Sequence, residues 1–164
     1  MLMLDYPPSD GSCDSIRGQW RAFEDEYRSG RARSIAVSNF SPKQIECIIS
    51  NATATPPAAN QLPLSVGKST QPINDDLALG GIVAQAYSPL GTGSLVSDPL
   101  LRKIGASHSK TAAQVALKWL LAHNATVATQ STSVAHLKQD VDLFDFSLTA
   151  DEIRQLDAHH PPSL

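Results

Sequence analysis

Gly30-Arg31-Ala32-Arg33-Ser34-Ile35-Ala36-Val37-Ser38-Asn39-Phe40 is the stretch on which the fold turns. Its centre, Ser34 to Ser38, is a small apolar run of strand length that opens behind a glycine turn and leaves through the polar pair Ser38-Asn39. Upstream, Ile16, Gln19, Trp20, Phe23 and Tyr27 form one helical stripe within Ser15 to Ser29, with Ser15 or Asp14 as the expected cap and Gly30 as the expected stop. Downstream, Ser41 before Pro42 is a cap and first-turn signal for a helix carried by Gln44, Ile45, Ile48 and Ile49. A strand therefore lies between two amphipathic helices.

The same alternation continues in both directions. Leu2 to Tyr6 is a short apolar run stopped by Pro7-Pro8. Ala58 to Leu62 and Ile82 to Tyr87 are candidate strands, separated by a short helix over Ile73 to Leu79 that ends at Gly80-Gly81. Thr111 to His123 reads as a strong helix with Ala112, Val115, Ala116, Trp119 and Leu120 inward, and Thr126 to Thr129 as a last strand. Val134 to Val141 and Thr149 to Ala158 read as closing helices. Strands and helices in alternation predict a parallel α/β sheet, either doubly wound or a (β/α) barrel. No GxGxxG follows any strand, which tilts the reading slightly to the barrel, since Gly91-Thr92-Gly93 is only a lone glycine pair.

Composition bounds the function. The 164 residues fit one domain, and 41% hydrophobic with 18% charged residues describes a globular chain. A net charge of −3 gives no footprint for nucleic acid, and no apolar run reaches membrane-span length. The N-terminus is short and acidic rather than a secretory signal, and Cys13 and Cys47 lie in different segments, so an intracellular, soluble protein in a reducing compartment is expected. His159-His160 reads as a solvated tail, and no metal site is expected.

In barrels the chemistry sits at the C-terminal strand ends. These read Asp5-Tyr6-Pro7, Ser38-Asn39-Phe40, Asn60-Gln61, Tyr87-Ser88-Pro89-Leu90-Gly91 and Thr129-Gln130-Ser131. Amides, hydroxyls and one aromatic face can grip a flat polar heterocycle. The same groups can also simply satisfy loop backbone, and the strand ends by themselves leave both readings open.

The motifs, taken in order, resemble those of the aldo-keto reductase family. Gly30 to Phe40 is similar to the family's GK-x-R-x-IGVSNF, Asn60-Gln61 to its NQ, and Ala86 to Gly91 to its AYSPLG. Thr111 to Trp119 resembles TPAQVALRW, and Phe144 to Thr149 resembles FDFxLT. The resemblance implies an incomplete (β/α)8 TIM-type barrel, strands four to eight with their helices, as a single domain over residues 1–164. It implies an oxidoreductase that reduces aldehydes and ketones with NADP(H) or NAD(H). Ser38, Asn39 and Gln61 would hold the nicotinamide carboxamide, Tyr87 would stack on its ring, and Ser88, Leu90, Thr92 and Ser131 would complete the cofactor site.

The departures shape the expectation further. Leu2 to Pro7 aligns with the family's fourth strand, so the Asp, Tyr and Lys of the catalytic set fall outside the chain, and Asp5 takes the place of the catalytic His. No catalytic residue of the family type is therefore assigned. The run that binds the cofactor's adenine end carries Gln130 for Lys, His136 for Arg, and Gln139-Asp140 for Glu-Asn, with Lys138 pointing elsewhere, so NADP preference or binding itself can be lost. Open sheet edges, with Val37 and Ala84 facing water, would call for a protein partner or self-association. Three readings follow: a carbonyl reductase, a non-catalytic pseudoenzyme subunit, or a truncated piece of a longer enzyme.

Overall fold

The computed structural model describes residues 1–51, 53–91 and 93–161. The strands are β1 (Leu2–Leu4), β2 (Ile35–Ser38), β3 (Ala59–Pro63), β4 (Val83–Tyr87) and β5 (Thr126–Ala128). They form one sheet in sequence order, with β1 pairing β2 and β2 pairing β3 in parallel. The helices are α1 (Cys13–Arg28), α2 (Pro42–Ile49), α3 (Gln71–Ala78), α4 (Pro99–Ser107), α5 (Ala112–Ala122), α6 (Val134–Val141) and α7 (Ala150–Asp157). The expected α/β class is what the chain adopts.

The residues fall into two compact units, Met1–Leu62 with Gln71–Gln85, and Pro63–Thr70 with Ala86–Leu164. In the first, Ile16 and Trp20 of α1, Ile35 and Val37 of β2, and Ile45 and Ile48 of α2 make one buried cluster with Phe40. Each fully buried side chain of this size contributes roughly 1.5–3 kcal/mol. The Trp20 indole Nε1 donates to Thr55 O at 2.9 Å, so the largest side chain of the cluster leaves no polar atom unpaired. The Glu24 carboxylate, also buried, accepts from Thr55 N at 2.7 Å and pairs with Arg28 at 3.2 Å.

The cap of α1 is Ser12, whose Oγ accepts from Ser15 N at 3.2 Å, not Ser15 or Asp14. Asp10 stabilises that turn from upstream by accepting from Ser15 Oγ at 2.7 Å. Cys13 and Cys47 are joined in a disulfide because α1 packs on α2, so they are not the two separate thiols expected. Val37 and Ala84 do not face water: both are buried, at 0% and 1% exposure. Alternation along the strands explains it. Val37 points into the helix-covered cluster, while Val83, Gln85 and Tyr87 of β4 take the other face. With both side chains buried, neither calls for a covering partner.

In the second unit α5 is the central element, packed against α4, α6, α7 and β5. Thr111 and Gln114 form a capping box at its start. Lys118 Nζ donates to Leu143 O at 2.8 Å, and Lys118 and Lys110 both stand over the Phe146 ring, so the Phe144–Phe146 segment is clamped onto α5. Helix α4 escapes the periodicity reading, though Asp98 before Pro99 is a cap and first-turn signal of the kind read at Ser41-Pro42. Asp98 Oδ1 accepts from Leu100 N and Leu101 N at 2.9 and 3.1 Å, and its Oδ2 pairs with His159 Nε2 at 2.8 Å. His159 is therefore a half-buried partner of the buried Asp98 and not part of a solvated tail. Burial alone would raise the Asp98 carboxyl, but His159 and the two amides outweigh it and hold the pKa below the usual carboxylate range.

Among the described residues no helix is long and apolar enough to cross a membrane, and no group of three His, Cys, Asp or Glu side chains is placed to hold a metal ion.

Candidate functional site

In the first unit the strand-end amides gather at the ends of β2, β3 and β4. Ser38, the last residue of β2, stands in register with Gln61 of β3. Ser38 Oγ and Asn39 N both donate to Gln61 O, at 3.0 and 2.9 Å. Asn39 Nδ2 donates to Ser38 Oγ at 3.0 Å and to Asp5 O at 3.2 Å. Asn39 sits at φ 62°, a left-handed conformation that Asn tolerates better than other side chains. The chain thus turns sharply at Asn39, and the turn fixes its amide beside Ser38.

Gln61 Nε2 donates to Gln85 Oε1 at 2.6 Å. Gln61 Oε1 and Gln85 Nε2 then have no partner among the described residues. The pair leaves one acceptor and one donor open, the two kinds of group that a carboxamide complements. Gln85 was missed in the sequence. The available signal was its place two residues before Tyr87, which puts both on one face of β4. Asn60 behaves otherwise than its neighbour Gln61. It is fully buried on the opposite face, where it brackets the Phe40 backbone, its Oδ1 accepting from Phe40 N at 3.4 Å and its Nδ2 donating to Phe40 O at 2.9 Å. Asp5 is an exposed carboxylate just beyond β1, and only its backbone carbonyl joins the amide cluster.

In the second unit Tyr87, Ser88 and Leu90 line a cavity of about 420 Å³, together with Thr129, Gln130 and Asp140. The size lies in the ordinary range for a small-molecule site. The loop bends at Ser88 (φ 49°) and Gly91 (φ 61°), closed by Gly91 N donating to Ser88 O at 2.9 Å. Tyr87 is half-buried and lines this space. Ser131 does not line the cavity. Its Oγ accepts from Ser133 N at 3.1 Å, which shapes the turn into α6. Thr92 lies outside the described residues. The residues present thus suit a nicotinamide cofactor at two places: a carboxamide-complementary pair at Gln61 and Gln85, and an aromatic face with hydroxyl and amide donors in the cavity.

A parallel α/β sheet with its polar groups at strand ends defines the class: an α/β protein whose chemistry sits where the strands give way to loops. Within that class, the model of the Aldo/keto reductase family matches residues 1–161, and the chain belongs to this family. An aldo-keto reductase of Mycolicibacterium vanbaalenii is 37% identical over 157 residues, covering 96% of this chain and 55% of the relative. The glyoxal reductase of Bacillus subtilis is 32% identical over 145 residues, covering 88% and 52% respectively. The crystal structure of a Gox0644 mutant in complex with NADPH is similar with a TM-score of 0.83 at 30% identity, covering 94% of this chain and 56% of that one. The chain spans about half the length of the curated relatives it matches.

Proposed function

We propose that this chain is the cofactor-holding part of an NAD(P)H-dependent carbonyl reductase, its β1 standing where the family has the fourth barrel strand. The observation that carries the reading is the Gln61–Gln85 pair, whose open acceptor and donor match a carboxamide beside Ser38 and Asn39. The reduced nicotinamide supplies the hydride when bound. Ser38, Asn39 and Gln61 orient its carboxamide, and the Tyr87 ring offers a stacking face. Ser88 and Leu90 belong to the loop proposed to cover the pyrophosphate, with Thr92 assigned there by resemblance. The substrate class is a small carbonyl compound.

Asp5, in the place of the family's His, is exposed, and we assign it no catalytic role. Titration calorimetry of the chain with NADH and NADPH tests the reading. Binding of either near the micromolar range supports it. No heat with either cofactor, from a chain of native circular dichroism, removes it.

A further inference from the structure

Away from the strand ends, the first unit carries a sulfur pair. Cys13, the first residue of α1, is exposed, whereas Cys47, in the last turn of α2, is 6% exposed. Their disulfide spans 34 residues and joins the start of one helix to the end of the other. Other contacts tie the same two helices. Ile16 and Trp20 of α1 pack with Ile45 and Ile48 of α2 in the buried cluster that also takes in Cys47. Arg17 Nε donates to Cys47 O at 2.9 Å, and Arg17 Nη2 donates to Ser50 Oγ at 3.2 Å. Packing and hydrogen bonds therefore hold α1 on α2 without the sulfur bridge. The two Cα atoms stand 5.1 Å apart, inside the roughly 4.4–6.8 Å that a disulfide spans. Two thiols at these positions stay within bonding reach of each other.

Thiol–disulfide exchange takes place at the sulfur that the incoming thiol can reach. We propose that Cys13 and Cys47 form a reversible thiol–disulfide pair, in which Cys13 is the sulfur that a small external thiol of the glutathione class engages and Cys47 is the resolving thiol. The external thiolate attacks Sγ of Cys13, the bond to Cys47 breaks, and Cys47 leaves as a thiolate that takes up a proton. A second external thiolate attacks the mixed disulfide at its external sulfur and releases Cys13, which takes up a proton in turn. The protein gains two electrons and two protons, and two external thiols become one external disulfide. Oxidation runs the same steps backwards: the Cys47 thiolate attacks Sγ of the Cys13 mixed disulfide and expels the external thiol. Arg17, through its bond to Cys47 O, sets a cation beside the residue that leaves as an anion.

The test reduces the folded natural chain with dithiothreitol, pulses it with iodoacetamide and maps the labelled peptides by mass spectrometry. Cys13 is expected to alkylate about tenfold or more faster than Cys47, which reacts only when α2 opens locally. The chain before reduction should take no label at either cysteine. Oxidised glutathione added to the reduced chain should restore the disulfide, with a melting temperature that falls on reduction and recovers on reoxidation. In Cys47→Ala, where the resolving thiol is gone, one glutathione should stay on Cys13 until dithiothreitol removes it. The natural-chain measurements decide the question if that variant does not fold. Label at both cysteines before reduction, or Cys47 alkylating as fast as Cys13 in a chain of native circular dichroism, overturns the proposal. Loss of native circular dichroism on reduction also overturns it, and makes the bond a structural staple.

Discussion

Asn60 Nδ2 donates to Asp76 Oδ1 at 3.2 Å, and this bond ties β3 to α3 inside the core of the first unit. Both side chains are buried, and Asp76 Oδ2 has no partner among the described residues. A carboxylate so placed is costly to ionise. Burial pushes the Asp76 carboxyl up to about 6, the Asn60 bond pulls against the rise, and neighbouring Asp75 adds to it.

Stability is therefore expected to fall as pH rises across the window this group spans. A carboxyl whose pKa is higher in the folded state binds its proton more tightly there. Its contribution is complete below the unfolded value, 3.8, and is lost as pH passes about 6. The shift corresponds to roughly 3 kcal/mol as an upper bound. Urea midpoints measured from pH 4 to 8 should show this slope in the natural chain and lack it in Asp76→Asn. Parallel profiles for the two proteins would refute the assignment.

Asp98 combines a helix cap with a partner for His159, so its removal acts at two points. Asp98→Ala should cost about 1–3 kcal/mol, since two amides and one imidazole lose a buried acceptor. His159→Ala should cost less, because the cap survives. Thermal denaturation of the two variants checks the order, and a larger loss in His159→Ala would contradict it.

Gly105 lies where the backbone of Lys110 crosses α4. Lys110 N donates to Gly105 O at 2.8 Å, and a Cβ on Gly105 would stand 2.5 Å from Lys110 O. Backbone cannot yield as a flexible side chain does, so Gly105→Ala should destabilise by about 1–3 kcal/mol despite the better helix propensity of Ala. Gly18 in α1 has open space around it, and Gly18→Ala should be neutral or stabilising by up to about 1 kcal/mol. Equal melting temperatures for the two variants would count against this packing.

Gln61→Ala removes the acceptor proposed for the carboxamide and frees Gln85. Cofactor affinity should drop about tenfold, the loss of one or two hydrogen bonds, with little change in melting temperature. Asn39→Gly separates backbone from side chain, because glycine keeps φ 62° without strain while the amide is lost. It should weaken cofactor binding while Asn39→Ala weakens both binding and stability. Unchanged cofactor affinity in Gln61→Ala would remove Gln61 from the site.

Local signals carried much of this molecule. Ser41-Pro42 and Thr111 with Gln114 mark helix starts that need only a side-chain oxygen within three residues of an amide. Val134 to Val141 was legible from end to end, and the run Ile35 to Ser38 was legible as a strand. What the sequence did not disclose depends on which face a residue takes and on what lies far along the chain. Val37 and Ala84 could be placed on strands, but their burial follows from the helices that cover that face. Gln61 was found by motif, whereas its partner Gln85 lies 24 residues on and meets it only because β3 and β4 are neighbours in the sheet.

The sequence by itself determined the alternation of strands and helices, the family, and the polar strand ends, because short-range hydrogen bonding and periodicity fix these. Tertiary structure alone decided that Cys13 meets Cys47, that His159 closes on Asp98, that Asn60 turns to Asp76 while Gln61 turns away, and that Asp140 shares a cavity with Tyr87. Each of these joins side chains distant in the chain. Local propensity cannot specify such contacts, which arise only when packed elements bring the partners within a few ångströms of each other.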